Sequence, residues 1–141
     1  MALTSPKKFF HCLKDLPNLF HKAVVHESHC TKVFEGDGKS IGSAVHFTFS
    51  LDGTNVSTTH VKIENVDEEK HLITLGCYDG DIMEHYKVFK VHFQVIPKDH
   101  KSSVKCSIEY EKVNESIPEP TVYMEFDEKL IEGIDGLALE S

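Results

Sequence analysis

The chain carries many side chains that could do chemistry, and their spacing decides how few can act together. Ten histidines invite a metal site. A zinc enzyme needs imidazoles or thiolates converging on one point, as in His-Glu-x-x-His on a helix or His-x-Glu followed by Cys-x-x-Cys. Neither pattern occurs. His26 and His29 lie three apart on a predicted strand and so point to opposite faces. His46, His60 and His92 fall on outward strand positions, and His11, His21, His71, His85 and His100 are scattered over helices, strand starts and turns. They read as surface histidines, with no metal expected. Cys12, Cys30, Cys77 and Cys106 are irregularly spaced, so neither a zinc ribbon nor a redox pair is indicated. Cys77 and Cys106 read as small core residues of a reduced, cytoplasmic protein.

The loop Gly36-Asp37-Gly38-Lys39-Ser40-Ile41-Gly42 has the glycine content of a phosphate cradle. A cradle needs Lys directly after the last glycine and a helix behind it. Here Lys39 stands three residues before Gly42 and a strand follows, which favours a structural hairpin loop. No Gly-x-Ser-x-Gly elbow exists, and no pair of carboxylates sits at inward strand positions for acid–base work. The residues assign no catalytic group and call for no cofactor, so the chain is not expected to be an enzyme.

The elements that would position a site can be read from periodicity. From Pro118 to Leu139, Val122, Phe126, Leu130, Ile134 and Leu137 form one stripe of a long helix, with Tyr123 and Ile131 beside them. Glu125, Asp127, Glu128, Lys129 and Glu132 are assigned to its wet side. Gly133 and Gly136 weaken its end. Near the start, Ser5-Pro6 opens a short helix that Pro17 ends, and Pro17 to Lys22 forms a second; Phe10, Leu13, Leu16 and Phe20 turn inward. Between lie six predicted strands: Val24 to Phe34, Ser43 to Leu51, Val56 to Asn65, His71 to Tyr78, Met83 to Ile96 and Val104 to Val113. Turn signals at Asp52-Gly53, Asp67 to Lys70, Asp79-Gly80-Asp81 and Pro97 to Lys101 make them an antiparallel meander. The fold class is α+β: a curved antiparallel sheet covered on one face by the C-terminal helix.

At 141 residues one domain spanning 1–141 is expected, large enough to bury about two thirds of its unfolded surface. A net charge of −8 argues against nucleic acid and anionic membranes. No apolar run reaches the ~20 residues of a spanning helix. The inward positions are rich in aromatic and aliphatic side chains: Phe47, Phe49, Val61, Ile73, Leu75, Phe89, Val91 and Phe93 on strands, with Tyr123, Phe126 and Leu130 on the helix. If sheet and helix do not fill the space between them, these eleven residues line an apolar small-molecule pocket; otherwise they are a filled core. The residues alone leave both open.

Three stretches carry a resemblance: Val33-Phe34-Glu35-Gly36-Asp37-Gly38-Lys39-Ser40-Ile41-Gly42-Ser43; Tyr78-Asp79-Gly80-Asp81-Ile82-Met83-Glu84-His85-Tyr86-Lys87-Val88-Phe89-Lys90; and Ser107-Ile108-Glu109-Tyr110-Glu111-Lys112-Val113-Asn114-Glu115 running into Pro118-Glu119-Pro120-Thr121. With the order of elements, they resemble the Bet v 1-like plant proteins, in particular the major-latex-protein branch of this pathogenesis-related class 10 group. The resemblance implies a sheet wrapped around the C-terminal helix (a helix-grip), two short helices forming a V, and a large apolar cavity between. It implies a carrier or reservoir for a steroid, flavonoid, cytokinin or alkaloid, linked to defence or stress. The alternative it implies is an enzyme of alkaloid-type metabolism such as norcoclaurine synthase, which relies on a lysine and acidic groups in the pocket. Here only Lys87 and Lys105 could turn inward, and only by a one-residue register slip. The family normally begins with a strand before the short helices, and that strand is not seen in this chain. The last strand, 104–113, is therefore expected to present an open edge, with lower stability or edge-to-edge homodimers as the consequence. Lys39-Ser40 also stand where the branch commonly has a bulky aromatic.

Overall fold

The computed structural model describes residues 5–24, 28–50, 56–99 and 101–140. The predicted turn at Asp52-Gly53, the strand end at Leu51, and His26 and His100 lie outside them. Two short helices open the chain, α1 (Pro6–Lys14) and α2 (Leu16–Ala23), each with proline in its first turn, where the missing N–H costs no helical bond. Phe9, Phe10, Leu13, Leu16 and Phe20 are all buried. Six strands follow: β1 (Ser28–Glu35), β2 (Ala44–Ser50), β3 (Val56–Asp67), β4 (Leu72–Gly80), β5 (Tyr86–Lys98) and β6 (Lys101–Lys112). They pair antiparallel in sequence order. The helix α3 (Thr121–Glu140) closes the chain. Tyr86 Oη donates to the Pro118 carbonyl at 2.9 Å and ties the linker before α3 to the base of β5.

Several boundaries differ from expectation for local reasons. Val24 does not begin a strand: its N–H bonds the Phe20 carbonyl at 3.0 Å and ends α2, and its side chain is buried. Met83 does not begin β5, because Asp81–Glu84 form a single 3-10 turn that turns Ile82 into the core. Pro97 belongs to β5, paired with Ser102, instead of to a turn. β3 carries a bulge between Ile63 and Asn65, which puts Val66 opposite Ile73 after Ile63 has faced Leu75. Such an extra residue shifts the alternation by one and adds local twist.

The core runs under α3. Phe126, Leu130, Ile134 and Ala138 are its buried apolar residues, whereas Val122, expected on the same stripe, is 52% exposed in the first turn. Gly133 has a role beyond weak helix propensity: a Cβ there would stand 2.1 Å from the Ala23 carbonyl oxygen, so glycine lets α3 rest on the end of α2. Gly136 has no atom within 4 Å of that position. The outer edge of β6 has no strand partner among the described residues.

The two glycines should therefore answer oppositely to the same change. Gly133→Ala is expected to lose about 1–3 kcal/mol by forcing α3 off α2, and Gly136→Ala to gain about 0.5–1 kcal/mol from helix propensity. Urea unfolding of both variants checks this; equal effects would refute the close contact.

Candidate ligand cavity beneath the C-terminal helix

Alternation on β2, β3, β4 and β5 turns one row of side chains toward α3, and helical periodicity turns Tyr123, Phe126, Asp127 and Leu130 back toward the sheet. Between them lies a cavity of about 70 Å³. Ten of the eleven residues expected at the site line it: Phe47, Phe49, Val61, Leu75, Phe89, Val91, Phe93, Tyr123, Phe126 and Leu130. Ile73 lines a neighbouring space of about 20 Å³ beneath α1 and α2. Leu16, Phe20, Thr59, Cys77, Ile82 and Asp127 complete the main cavity.

The large cavity implied by the resemblance is not what these walls enclose, and the reason is aromatic packing. Phe20 enters from α2 with its ring centroid 4.6 Å from Phe47, 6.2 Å from Phe49 and 5.9 Å from Phe126, and Phe126 stacks on Phe49 at 4.8 Å. Tyr123 meets Phe89 edge-on at 5.2 Å. Offset and edge contacts of this kind are favourable beyond their buried area. They occupy room that a ligand would otherwise use.

Asp127 corrects the assignment of that residue to the wet side of α3. It lies four residues after Tyr123 and four before Ile131, so it belongs to the inward stripe, and it lines the cavity. Burial pushes its carboxyl up to about 7, opposed only by the Cys106 thiol, whose Sγ lies 3.9 Å from Oδ2. Removing an ion from water without a partner disfavours the charged form. The same burial, with the negative charge of Asp127, pushes the thiols of Cys77 and Cys106 up to about 12. Tyr123 is raised as well, first by burial. Thr59 Oγ1, also in the lining, is buried without a hydrogen-bond partner among the described residues. Lys87 and Lys105 are both exposed, so neither register slip occurs, and among the described residues no lysine lines the cavity.

The other candidate groups lie elsewhere. Asp37 fills the glycine-rich loop with its own carboxylate: Oδ1 accepts from the backbone N–H of Lys39 and of Ser40, each at 2.8 Å, and Oδ2 from Ser40 Oγ at 2.9 Å. Those backbone bonds hold its carboxyl well below the usual range, and they use the donors that a phosphate would need. β2 follows the loop. His46, His60 and His92 are on the outer face; His46 and His60 stack at 3.6 Å, and His92 Nδ1 sits 2.8 Å from Thr74 Oγ1. Burial lowers the His46 pKa, with His60 adding to the effect. Among the described residues no group of three or more His, Cys, Asp or Glu is arranged to hold a metal ion, and no helix is long and apolar enough to cross a membrane.

The family model of the pathogenesis-related protein Bet v 1 family matches residues 2–141. MLP-like protein 43 of Arabidopsis thaliana is 35% identical over 133 residues, 93% of this chain and 84% of that protein. The crystal structure of ginseng major latex-like protein 151 from Panax ginseng superposes with a TM-score of 0.89 at 28% identity, covering 99% of this chain and 93% of that one. Norcoclaurine synthase from Thalictrum flavum, in complex with dopamine and hydroxybenzaldehyde, shares the fold at 21% identity and a TM-score of 0.83, covering 99% and 82%.

The Asp127 carboxyl makes stability depend on pH in a definite direction. Its folded pKa of about 7 lies above the ordinary 3.8, so the folded chain keeps a proton that the unfolded chain releases. Stability from this group is therefore present at low pH and lost as pH rises through the window between those values. Asp127→Asn removes the dependence. The variant is expected to be close to wild type at pH 3 and more stable by about 4 kcal/mol at pH 8. Thermal melts at the two pH values check it; a constant difference would refute the buried-acid account.

Proposed function

The chain belongs to the pathogenesis-related protein Bet v 1 family, in its major-latex-protein branch, and from that premise we propose that it holds a small hydrophobic metabolite between α3 and the sheet, as a carrier or reservoir. The family binds small hydrophobic ligands. The observation that carries the reading here is the cavity lining: a nearly continuous apolar wall interrupted by Asp127 and by the partnerless hydroxyl of Thr59. A mostly apolar pocket with a few placed polar groups is the usual form of a small-molecule site. A cavity of about 70 Å³ is smaller than a multi-ring metabolite. Entry proceeds by exchanging ring–ring contacts for ring–ligand contacts, with Phe20, Phe49 and Phe126 changing rotamer. Steroid, flavonoid, cytokinin and alkaloid skeletons are the ligand classes, in a cytoplasmic protein of defence or stress. Catalysis is the weaker reading, because among the described residues no lysine stands in the lining with Asp127.

Native mass spectrometry of the purified chain, followed by organic extraction, tests the reading. A reproducible apolar adduct that raises the melting temperature is expected, and Val91→Phe, which fills the cavity, should lower its occupancy about tenfold or more, equivalent to ~1.4 kcal/mol. A bare chain that ignores sterols, flavonoids, cytokinins and alkaloids alike would overturn it.

The edge of β6, which has no strand partner among the described residues, supports a second proposal, that two chains pair along it. Light scattering should report a dimer, and Ser107→Pro on β6 should return it to monomer. A wild-type monomer at all concentrations would refute the pairing.

A further inference from the structure

Resting on the reading of this cavity as a hydrophobic-ligand site, we propose that Asp127 makes it selective for ligands bearing a basic amine, whose protonated nitrogen pairs with the carboxylate while the hydrocarbon part lies among the rings. The placement carries the argument. The carboxyl projects from α3 into the cavity, and among the described residues its one hydrogen-bonding neighbour is the Cys106 thiol at 3.9 Å, a weak donor. Among the described residues no lysine, arginine or histidine is in the lining. Most buried acids have a cation or several N–H donors; one that lacks both and faces a cavity is a candidate for recognising something that enters.

The chemistry of the partner follows from what each ligand class would meet. An anion is repelled. A neutral hydroxylated skeleton leaves Asp127 protonated and gains one neutral hydrogen bond. A protonated amine gains a charge-assisted bond, which is roughly twice as strong as a neutral one. Removing the carboxylate from water is a cost already imposed by the fold, so the incoming cation adds only its own desolvation. The hydroxyl of Thr59, buried and without a partner, offers a second polar contact in the same cavity. The chain's net charge of −8 favours the approach of cations. Among the four proposed classes, basic alkaloid-type skeletons fit this site in preference to steroids and flavonoids.

The groups around Asp127 leave its titration isolated. Cys77 on β4, Cys106 on β6, and Tyr123 on α3 are all raised by burial, as is Tyr86 on β5. The carboxyls of Asp81 and Glu64 stand outside the lining. Amine affinity should therefore follow ionisation near pH 7. The ionised fraction rises from about a tenth at pH 6 to about nine tenths at pH 8, so amine binding should tighten about tenfold over that interval.

Three naphthalene probes of matched shape test this on the full chain, which has no tryptophan to interfere with their fluorescence. They are N,N-dimethyl-(2-naphthylmethyl)amine, 2-isobutylnaphthalene and 2-naphthylacetate. At pH 8 the amine is expected to bind about tenfold tighter than the hydrocarbon, and the acetate weakest. Asp127→Asn should bring the amine down to the hydrocarbon's level. The wild-type pH profile is a readout that needs no variant. Hydrocarbon binding with no preference for the amine, or a preference that survives Asp127→Asn or does not change with pH, would overturn the role of Asp127 alone. Failure of every probe to bind at either pH would overturn the cavity reading together with it.

Discussion

A single helix must cover the apolar face of an open six-stranded sheet, and it cannot do so equally along its length. Near its C-terminal end α3 comes down to backbone contact, with Gly133 against the Ala23 carbonyl and Ile134 and Ala138 fully buried. Along its first half, side chains stand between helix and sheet, and Tyr123, Phe126, Asp127 and Leu130 line the cavity. The cavity is thus a consequence of how α3 is seated. Strands curve, a helix is straight over such a length, and close packing at one end leaves a gap at the other that only large side chains can bridge. Phe20 from α2 and Phe49 from β2 meet Phe126 there.

Aromatic rings suit a gap whose contents change. A ring is rigid, has two torsions, and keeps much of its contact energy when it pivots from one apolar neighbour to another. Branched aliphatic chains in the same place would be held in one rotamer by their own crowding. The cluster of Phe20, Phe47, Phe49 and Phe126 therefore closes the cavity without locking it. The smaller space beneath α1 and α2, walled by Ile63, Val66 and Ile73 on the sheet side, shares only Phe47 with that cluster and is lined mainly by aliphatic chains.

Much of this was legible because strand alternation is a strong signal. The six strands, their antiparallel order, both short helices and α3 follow from period two, period 3.6 and proline placement. What was not legible has specific causes. The bulge between Ile63 and Asn65 inserts one residue without any sequence mark and brings Val66 opposite Ile73. Ile82 sits in a stretch rich in turn residues, yet one 3-10 turn is enough to bury it. Val122 obeys the helical stripe but precedes the part of α3 that reaches the sheet. Asp127 is the instructive case. Its position in the helical repeat pointed inward, between Tyr123 and Ile131, and its polarity was allowed to outweigh that position. Charged residues do usually mark the wet face, and an exception is where a site is to be looked for.

The same rule separates Asp127 from Asp37. Asp37 is held by two backbone N–H groups and by Ser40 within its own loop, so its charge is satisfied locally and serves the turn. Both residues are aspartates with shifted pKa values, but the shifts have opposite signs because one has donors and the other has only burial. A carboxyl that is never satisfied by its own fold persists at a cost, since asparagine or leucine would remove the charge at that position. The cost is smallest when the group can give up its charge, and a pKa of about 7 lets it do so. The cavity then presents a neutral acid to an apolar occupant and a carboxylate to a cationic one. Space and charge beneath α3 are adjustable in the same sense: rings that pivot set the volume, and one proton sets the polarity.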